Sequence, residues 1–269
     1  MPELPEVETS RRGIEPHILG KRVERILIRQ PRLRWLVPEQ IQTLVGASIE
    51  QVSRRSKYLL LETDQGTALI HLGMSGSLRI CSADSTPTKH DHVDIVFSHG
   101  KALRLRDPRR FGAVLYAEKG QLHPLLKTLG PEPLSESCSA EYLFKQSRGR
   151  KIAIKLFIMT AQIVVGVGNI YANEALFMAG IDPQRAAGSL SLQEYQHLNT
   201  AIRTVLVQAI KQGGTSLRDF VREDGQTGYF QVALQVYGRS NAACMQCGTP
   251  LKHIRQGQRS TWYCPACQI

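Results

Sequence analysis

The first residues of the chain place a proline where its nitrogen could act as a nucleophile. The sequence starts Met1-Pro2-Glu3, and removal of Met1 leaves Pro2 with a free secondary amine. Such an amine can add to an aldehyde carbon and form an iminium, whereas the nitrogen of a proline inside a chain is an amide without an N–H. Glu3 and Glu6 add two carboxylates nearby, which favour the charged form of the amine. A solvated tail that contains prolines is the alternative interpretation.

Four cysteines have the spacing of a zinc site. Cys244 and Cys247 form one Cys-x₂-Cys pair, Cys264 and Cys267 form a second, and sixteen residues separate the pairs. Four thiolates complete a tetrahedral zinc shell, so we expect one structural Zn²⁺ with no catalytic role. Disulfides are the alternative.

The residues between the two cysteine pairs predict a β-hairpin with strands at 249–254 and 261–263. This hairpin carries Lys252, Arg255 and Arg259 without a carboxylate nearby. These cations indicate either a solvated basic surface or a finger that contacts phosphates.

The charge of the whole chain indicates a polyanionic partner. Lys and Arg number 34 against 23 Asp and Glu, which gives a net charge of +11. Nucleic acid and an acidic membrane surface are the candidates. The sequence has no apolar run of about eighteen residues, as a membrane span requires, and no signal-peptide pattern. We therefore expect a cytoplasmic protein, a compartment in which cysteine pairs indicate metal.

The elements that must position these residues predict an α+β fold. After a helix near 6–19, short apolar runs separated by glycines extend to residue 118 and predict an antiparallel β-sandwich or barrel. Residues 119–139 look like a hinge, with no regular structure at 130–135. Helices are expected at 169–180 and, with a Ser191/Glu194 capping box, at 191–212. We expect domains at 1–130, 131–234 and 235–269.

Several motifs carry a family resemblance. In order along the chain, they are Pro2–Glu8, His71–Gly76, Asp107–Gly112, Gly166–Tyr171 and the four-cysteine finger. Together they resemble the bacterial formamidopyrimidine-DNA glycosylases over the entire chain. The resemblance implies an N-terminal antiparallel β-sandwich, a helical domain with a helix–two-turn–helix element, and a zinc-finger hairpin. It also implies a monomer that binds double-stranded DNA in a cleft between its domains.

The resemblance further implies a bifunctional enzyme of base excision repair. It would excise oxidised purines such as 8-oxoguanine and formamidopyrimidines, and then cut the strand by β- and δ-elimination. Pro2 would attack C1′ and form a Schiff base, with Glu3 as the acid/base partner. Lys57 would donate a proton in β-elimination, and Arg259 would assist δ-elimination. Glu6 would orient the N-terminus.

The resemblance assigns further residues to DNA binding. Met74, Arg109 and Phe111 would fill the gap that the extruded nucleotide leaves, and Asn169 would bind a phosphate at a helix start. His71, His90 and Arg150 would contact the DNA backbone. From the residues alone, Met74 and Phe111 fit a core better than a DNA contact. The histidines fit structural roles, and Lys57 and Arg150 fit a solvated surface. The polar segment 213–229 would close over the extruded base.

Two rival functions remain open at this stage. The endonuclease VIII branch shares the architecture but prefers oxidised pyrimidines, although Leu4 and the Asp107–Phe111 segment resemble the purine-directed branch. A non-catalytic, zinc-bearing binder of damaged DNA is the rival from another class.

Overall fold

A computed structural model describes residues 2–213 and 234–269. The segment expected to close over an extruded base, 213–229, lies outside the described residues except for its first residue. Contacts within the chain divide it into two compact units. The described residues up to Lys127, together with 212–213, belong to the first unit, and Thr128–Lys211 with 234–269 belong to the second. The three-part division with boundaries at 130 and 234 stays a prediction.

Helix α1 (Leu4–Ile18) begins directly after the N-terminal proline and Glu3. The backbone N–H of Glu3 donates to Oε2 of Glu6 at 2.8 Å, and the Glu3 side chain accepts from the Glu6 backbone in return. This reciprocal capping box satisfies two N–H groups that a helix start leaves without a partner. It explains why the helix begins two residues before the predicted start. Pro5 fits in the first turn because its missing N–H has no helical partner there.

The first unit is an antiparallel β-sandwich, as predicted. One sheet has the strand order β1-β6-β7-β5 and the other β2-β3-β4-β8. Apolar side chains from both sheets and from α1 share one core, which includes Val7, Leu59 and Leu103. The strands are β1 (Val23–Ile28), β2 (Gln51–Arg55), β3 (Tyr58–Thr63), β4 (Gly66–His71), β5 (Ser77–Ser82), β6 (Asp91–Phe97), β7 (Lys101–Arg106) and β8 (Ala113–Glu118). A 3₁₀ helix lies at Glu39–Leu44.

The first sheet also buries charge. Arg104 of β7 lies opposite Asp94 of β6 and donates two hydrogen bonds to its carboxylate at 2.9 and 2.8 Å. Arg29 pairs with the same carboxylate at 2.6 Å, and together these guanidinium groups hold the pKa of Asp94 below its ordinary value against the opposing effect of burial. One of the basic residues between 101 and 110 therefore lies inside the fold.

The second unit has a helical core, as predicted. It contains α3 (Ala140–Ser147), α4 (Ile154–Ile158), α5 (Asn169–Met178) and α6 (Leu192–Lys211), and the hinge region before it contains the short α2 (Pro124–Lys127). Ser191 and Glu194 form the expected capping box, because each backbone N–H donates to the other side chain. Residues 130–135 contain no helix or strand. Arg203 of α6 fixes them by donating to the carbonyl oxygens of Leu134 and Ser135.

The predicted hairpin is present with shifted ends. Its strands are β9 (Lys252–Gln256) and β10 (Arg259–Tyr263). The first strand begins three residues later than expected, after an isolated bridge between Ala243 and Pro250. Gly257 and Gln258 form the two-residue turn with positive φ angles of 49° and 65°, which is the hairpin geometry that matches strand twist. None of the helices in the described parts of the chain is long and apolar enough to cross a membrane.

Candidate functional site

The N-terminal proline precedes a rigid helix start rather than a frayed tail. Pro2 is half-buried, and Glu3 and Glu6 are 2% and 1% exposed. The positive end of the α1 dipole lies at Pro2 and disfavours a cation there, while the two carboxylates oppose that effect. Removal of Met1 thus places a secondary amine beside two carboxylates whose positions the capping box fixes. A free secondary amine can act as a nucleophile, and a carboxylate next to it can act as an acid or a base.

Lys57 lies in the tight turn between β2 and β3. Ser56 before it is buried and has a positive φ of 56°. Arg54 donates to the Ser56 carbonyl oxygen at 2.7 Å and pairs with Glu8 of α1 at 3.3 Å. The turn that carries Lys57 is therefore tied to the helix that follows Pro2.

His71, at the end of β4, is a neutral hydrogen-bond donor. Burial and the positive charges of Arg34 and Lys57 lower the pKa of its imidazole to about 4. The backbone N–H of Gly73 donates to Nδ1 at 3.0 Å, so the proton of the neutral ring is on Nε2. The Tyr58 ring packs against it with centroids 4.8 Å apart. The neutral Nε2–H of His71, together with the positive charges of Arg34 and Lys57, can bind a phosphate oxygen.

The three residues expected to fill a gap in the duplex are on the surface. Met74 is 39% exposed and Phe111 45% exposed, which excludes the core interpretation for both. The Arg109 side chain is exposed, and its guanidinium carbon lies 4.9 Å from the Phe111 ring centroid. Exposed apolar side chains of this kind can act as wedges between bases.

The two loops that carry these residues touch through their backbones. A Cβ atom on Gly73 would lie 2.3 Å from the Phe111 carbonyl carbon, and Gly73 has a φ of +62°. Only glycine fits this position without displacing the second loop. Met74 and Phe111 therefore project from one composite surface.

Arg34 and His90 adjoin this composite surface. The Arg34 N–H donates to the Gly112 carbonyl oxygen at 2.9 Å, and the His90 carbonyl oxygen accepts from the Asp107 N–H at 2.9 Å. Arg34 was not among the predicted residues. The basic and aromatic run 32–35 was the only local signal for it.

In the second unit, Asn169 begins α5 directly after the glycine-rich turn. Its Oδ1 atom is buried and has no hydrogen-bond partner among the described residues. The first N–H groups of a helix make an anion site, to which the Asn169 side chain can add the donors of its Nδ2 group. Arg150 is exposed, and its backbone is fixed by bonds to Ser147 and Gly188.

The four predicted cysteines converge, and the geometry fits zinc. Their sulfur atoms all lie within 4.8 Å of one another. Cys244 and Cys267 are 3.9 Å apart, and Cys247 and Cys264 are 3.5 Å apart. A tetrahedron with Zn–S bonds of about 2.3 Å has S···S distances of about 3.8 Å, whereas a disulfide needs about 2.05 Å. The residues fit one Zn²⁺ and contradict the disulfide alternative.

Arg259 is exposed at the start of β10, beside the hairpin turn. Lys155 of α4, which is fully buried, donates to the Ser260 carbonyl oxygen at 2.8 Å and to Thr261 Oγ1 at 2.7 Å. Asn173 of α5 accepts from the Trp262 N–H at 2.8 Å. The strand that carries Arg259 is thus held on two helices of its own unit. Neither helical residue was predicted from the sequence.

Three family models match consecutive parts of the chain. The formamidopyrimidine-DNA glycosylase N-terminal domain matches residues 1–114, and the corresponding H2TH domain matches 129–221. A zinc finger found in formamidopyrimidine-DNA glycosylases and isoleucyl-tRNA synthetases matches 243–269.

Curated relatives match over their full length. The formamidopyrimidine-DNA glycosylases of Thioalkalivibrio sulfidiphilus and Alcanivorax borkumensis are 59% and 57% identical, each with 100% of both chains covered. Each alignment therefore covers the whole of this chain and the whole of the relative.

Solved structures also match over nearly all of the chain. The MutM (Fpg) protein of Thermus thermophilus is 38% identical, with a TM-score of 0.87, and the match covers 99% of this chain and 98% of the Thermus chain. A MutM complex with DNA that contains carbocyclic 8-oxoguanine is 36% identical, with a TM-score of 0.89 and full coverage of both chains. A Lactococcus lactis variant bound to DNA that contains Fapy-dG is 36% identical, with a TM-score of 0.91 and 99% coverage of both.

Proposed function

The chain belongs to the formamidopyrimidine-DNA glycosylase family, and on that premise we propose that Pro2 is the nucleophile of its reaction. The protein is a DNA glycosylase and abasic-site lyase that acts on oxidised purines in double-stranded DNA. The observation that carries the proposal is the position of Pro2 beside the buried Glu3 at a capped helix start.

The glycosylase step replaces a base with an amine at one sugar carbon. The neutral nitrogen of Pro2 attacks C1′, and the C1′–N bond to the damaged base breaks as the base leaves with its electron pair. Glu3 serves as acid and base: it protonates the ring oxygen O4′ as the sugar opens, and the amine proton is lost to give the iminium. Because Glu3 is fixed at the helix start, its carboxyl needs no rearrangement before the transfer.

The lyase steps follow from the iminium. The positive nitrogen acidifies the C2′–H bond, so loss of that proton expels the 3′-phosphate, and a second elimination expels the 5′-phosphate. In the proposed roles, Lys57 donates a proton during the first elimination and Arg259 assists the second. The ties from Arg54 to Glu8 and Ser56 support the role of Lys57, because they fix its turn relative to α1.

Base removal requires that the nucleotide leave the helical stack. We assign Met74 and Phe111 to the vacated space, where apolar side chains replace lost stacking. Arg109 would donate to the base that has lost its partner. His71, His90, Arg150 and Asn169 would contact the DNA backbone. The zinc holds the finger folded when bound. The enzyme would work in the bacterial cytoplasm, on chromosomal DNA.

Borohydride reduction with an 8-oxoguanine:cytosine duplex tests the nucleophile. The expected result is a covalent protein–DNA adduct, and mass spectrometry of the N-terminal peptide places it on Pro2. A parallel reaction on a thymine glycol duplex serves as the control for the pyrimidine-directed branch and should be much slower. Tight binding without any adduct would instead support a non-catalytic binder.

A further inference from the structure

A buried carboxylate joins the two loops that carry Met74, Arg109 and Phe111. Asp107 has no exposed surface. Its Oδ1 accepts from Ser75 Oγ at 2.6 Å and from the Arg109 N–H at 3.3 Å. Its Oδ2 accepts from the Gly112 N–H at 2.7 Å. One side chain therefore binds the loop of Met74 and both ends of the loop of Phe111.

The backbone of Asp107 is fixed as well. Its N–H donates to the His90 carbonyl oxygen at 2.9 Å, and its carbonyl oxygen lies 2.8 Å from His92 Nε2. These contacts fasten the residue to the start of β6. The carboxylate is consequently a fixed point from which both loops are held.

The loop after Asp107 adopts a conformation that needs such support. Arg110 has a φ of +57°, in the left-handed region that is unfavourable for a non-glycine residue. The hydrogen bonds to Arg109 and Gly112 lie on either side of this residue. They hold the turn closed and keep Arg109 and Phe111 on the same side of it.

We propose that Asp107 is a positioning residue for base extrusion, which makes loops 72–76 and 107–112 enter the duplex as one rigid body. This inference rests on the proposed role of the three surface residues. The space that an extruded nucleotide leaves in the base stack must be filled before the neighbouring bases close it. Side chains that are already fixed relative to one another lose less conformational entropy on insertion than side chains on independent loops.

The isosteric change Asp107→Asn isolates the carboxylate. An amide has one accepting oxygen and one donating nitrogen. Whichever way it turns, the Gly112 N–H or the Arg109 N–H then faces another donor. The anchor loses its charge and at least one of its three hydrogen bonds, while the size of the buried side chain is kept.

Two single-turnover rates test the proposal: excision of 8-oxoguanine from a duplex, and cleavage of a preformed abasic site, which has no base to extrude. Asp107→Asn should lower excision by about 10-fold to 100-fold, the effect of losing a hydrogen bond to a charged acceptor, and leave abasic-site cleavage within about threefold. A 2-aminopurine beside the lesion should report slower unstacking. Asp64→Asn, at an exposed carboxylate in the same unit, is the matched control and should behave as the wild type.

Equal losses in both rates would overturn the proposal, because a general structural defect affects both alike. Unchanged rates would overturn it as well. If Asp107→Asn fails to fold in a thermal melt, Ser75→Ala decides. This variant keeps the carboxylate but removes the hydroxyl that donates to Asp107 and accepts from the Arg109 N–H at 3.2 Å. Ser75→Ala should slow excision by several-fold and leave abasic-site cleavage unchanged. Wild-type rates of both reactions in this variant would contradict the proposal. A wild-type enzyme that forms no adduct in the borohydride reaction would instead refute the function on which the proposal rests.

Discussion

The backbone N–H of Gly73 donates to Nδ1 of His71 at 3.0 Å. This contact joins the end of β4 to the loop that carries Met74, and it fixes which ring nitrogen holds the proton. His71 can therefore offer Nε2–H to DNA without carrying a charge. Protonation of Nδ1 would place two donors face to face and break the contact.

Replacement of His71 should change how stability depends on pH. The folded-state pKa of about 4 lies below the ordinary value of 6.5. Between these values the unfolded chain binds a proton that the folded chain does not, so stability falls as pH falls through this window. His71→Gln should lose less stability than wild type between pH 7.5 and pH 5, by at most about 2 kcal/mol. Urea denaturation at the two pH values measures the difference.

The matched control for this experiment is His197→Gln, at an exposed histidine of α6. It should follow the wild-type pH dependence. Parallel curves for His71→Gln and wild type would show that His71 titrates normally.

The reaction should depend on the free N-terminus. Pro2→Gly keeps a primary amine, and we expect it to retain part of the lyase activity. A variant in which Met1 remains attached should form no borohydride adduct, because its Pro2 nitrogen is an amide. Mass spectrometry confirms the state of the N-terminus in each preparation. Full activity with Met1 in place would rule out Pro2.

Salt should weaken DNA binding steeply. If about six phosphates are neutralised, a log–log plot of affinity against salt concentration has a slope near −5. Arg150→Ala should reduce the magnitude of the slope by about 1, since it removes one phosphate contact. Fluorescence anisotropy at several salt concentrations gives both values, and a slope near zero would contradict an interface dominated by charge.

Loss of zinc should unfold the finger and abolish tight DNA binding while the β-sandwich stays folded. Cys264→Ser removes one of four thiolates, and structural zinc sites of this kind do not fold without metal. Trp262, beside Tyr237 and His253, should report the change by fluorescence. Cys81→Ser, in β5 of the first unit, is the control. A Cys264→Ser protein with stoichiometric zinc and unchanged DNA affinity would refute the assignment.

The sequence predicted the parts of the molecule that have local signatures. The zinc hairpin follows from two Cys-x₂-Cys pairs, and α6 follows from its capping box and apolar stripe. The cysteine ligands converge as predicted. Such features are encoded within a few tens of residues.

The features that the sequence did not predict depend on distant partners. Arg104 looks like a surface cation within a basic run, yet its exposed fraction is only 1% because β6 places Asp94 opposite it. Arg34 reaches the surface of Phe111 through the Gly112 carbonyl oxygen. Strand register decides the first contact, and the packing of two loops decides the second. Hydrophobic periodicity predicts neither of them.

The buried contact between α4 and the zinc hairpin has a consequence for synthesis on the ribosome. Lys155 donates to acceptors that lie 105 and 106 residues further along the chain. A nascent helical unit lacks these two acceptors until residues 260 and 261 have left the ribosome. The packing around α4 is therefore completed late, after most of its own unit has been synthesised.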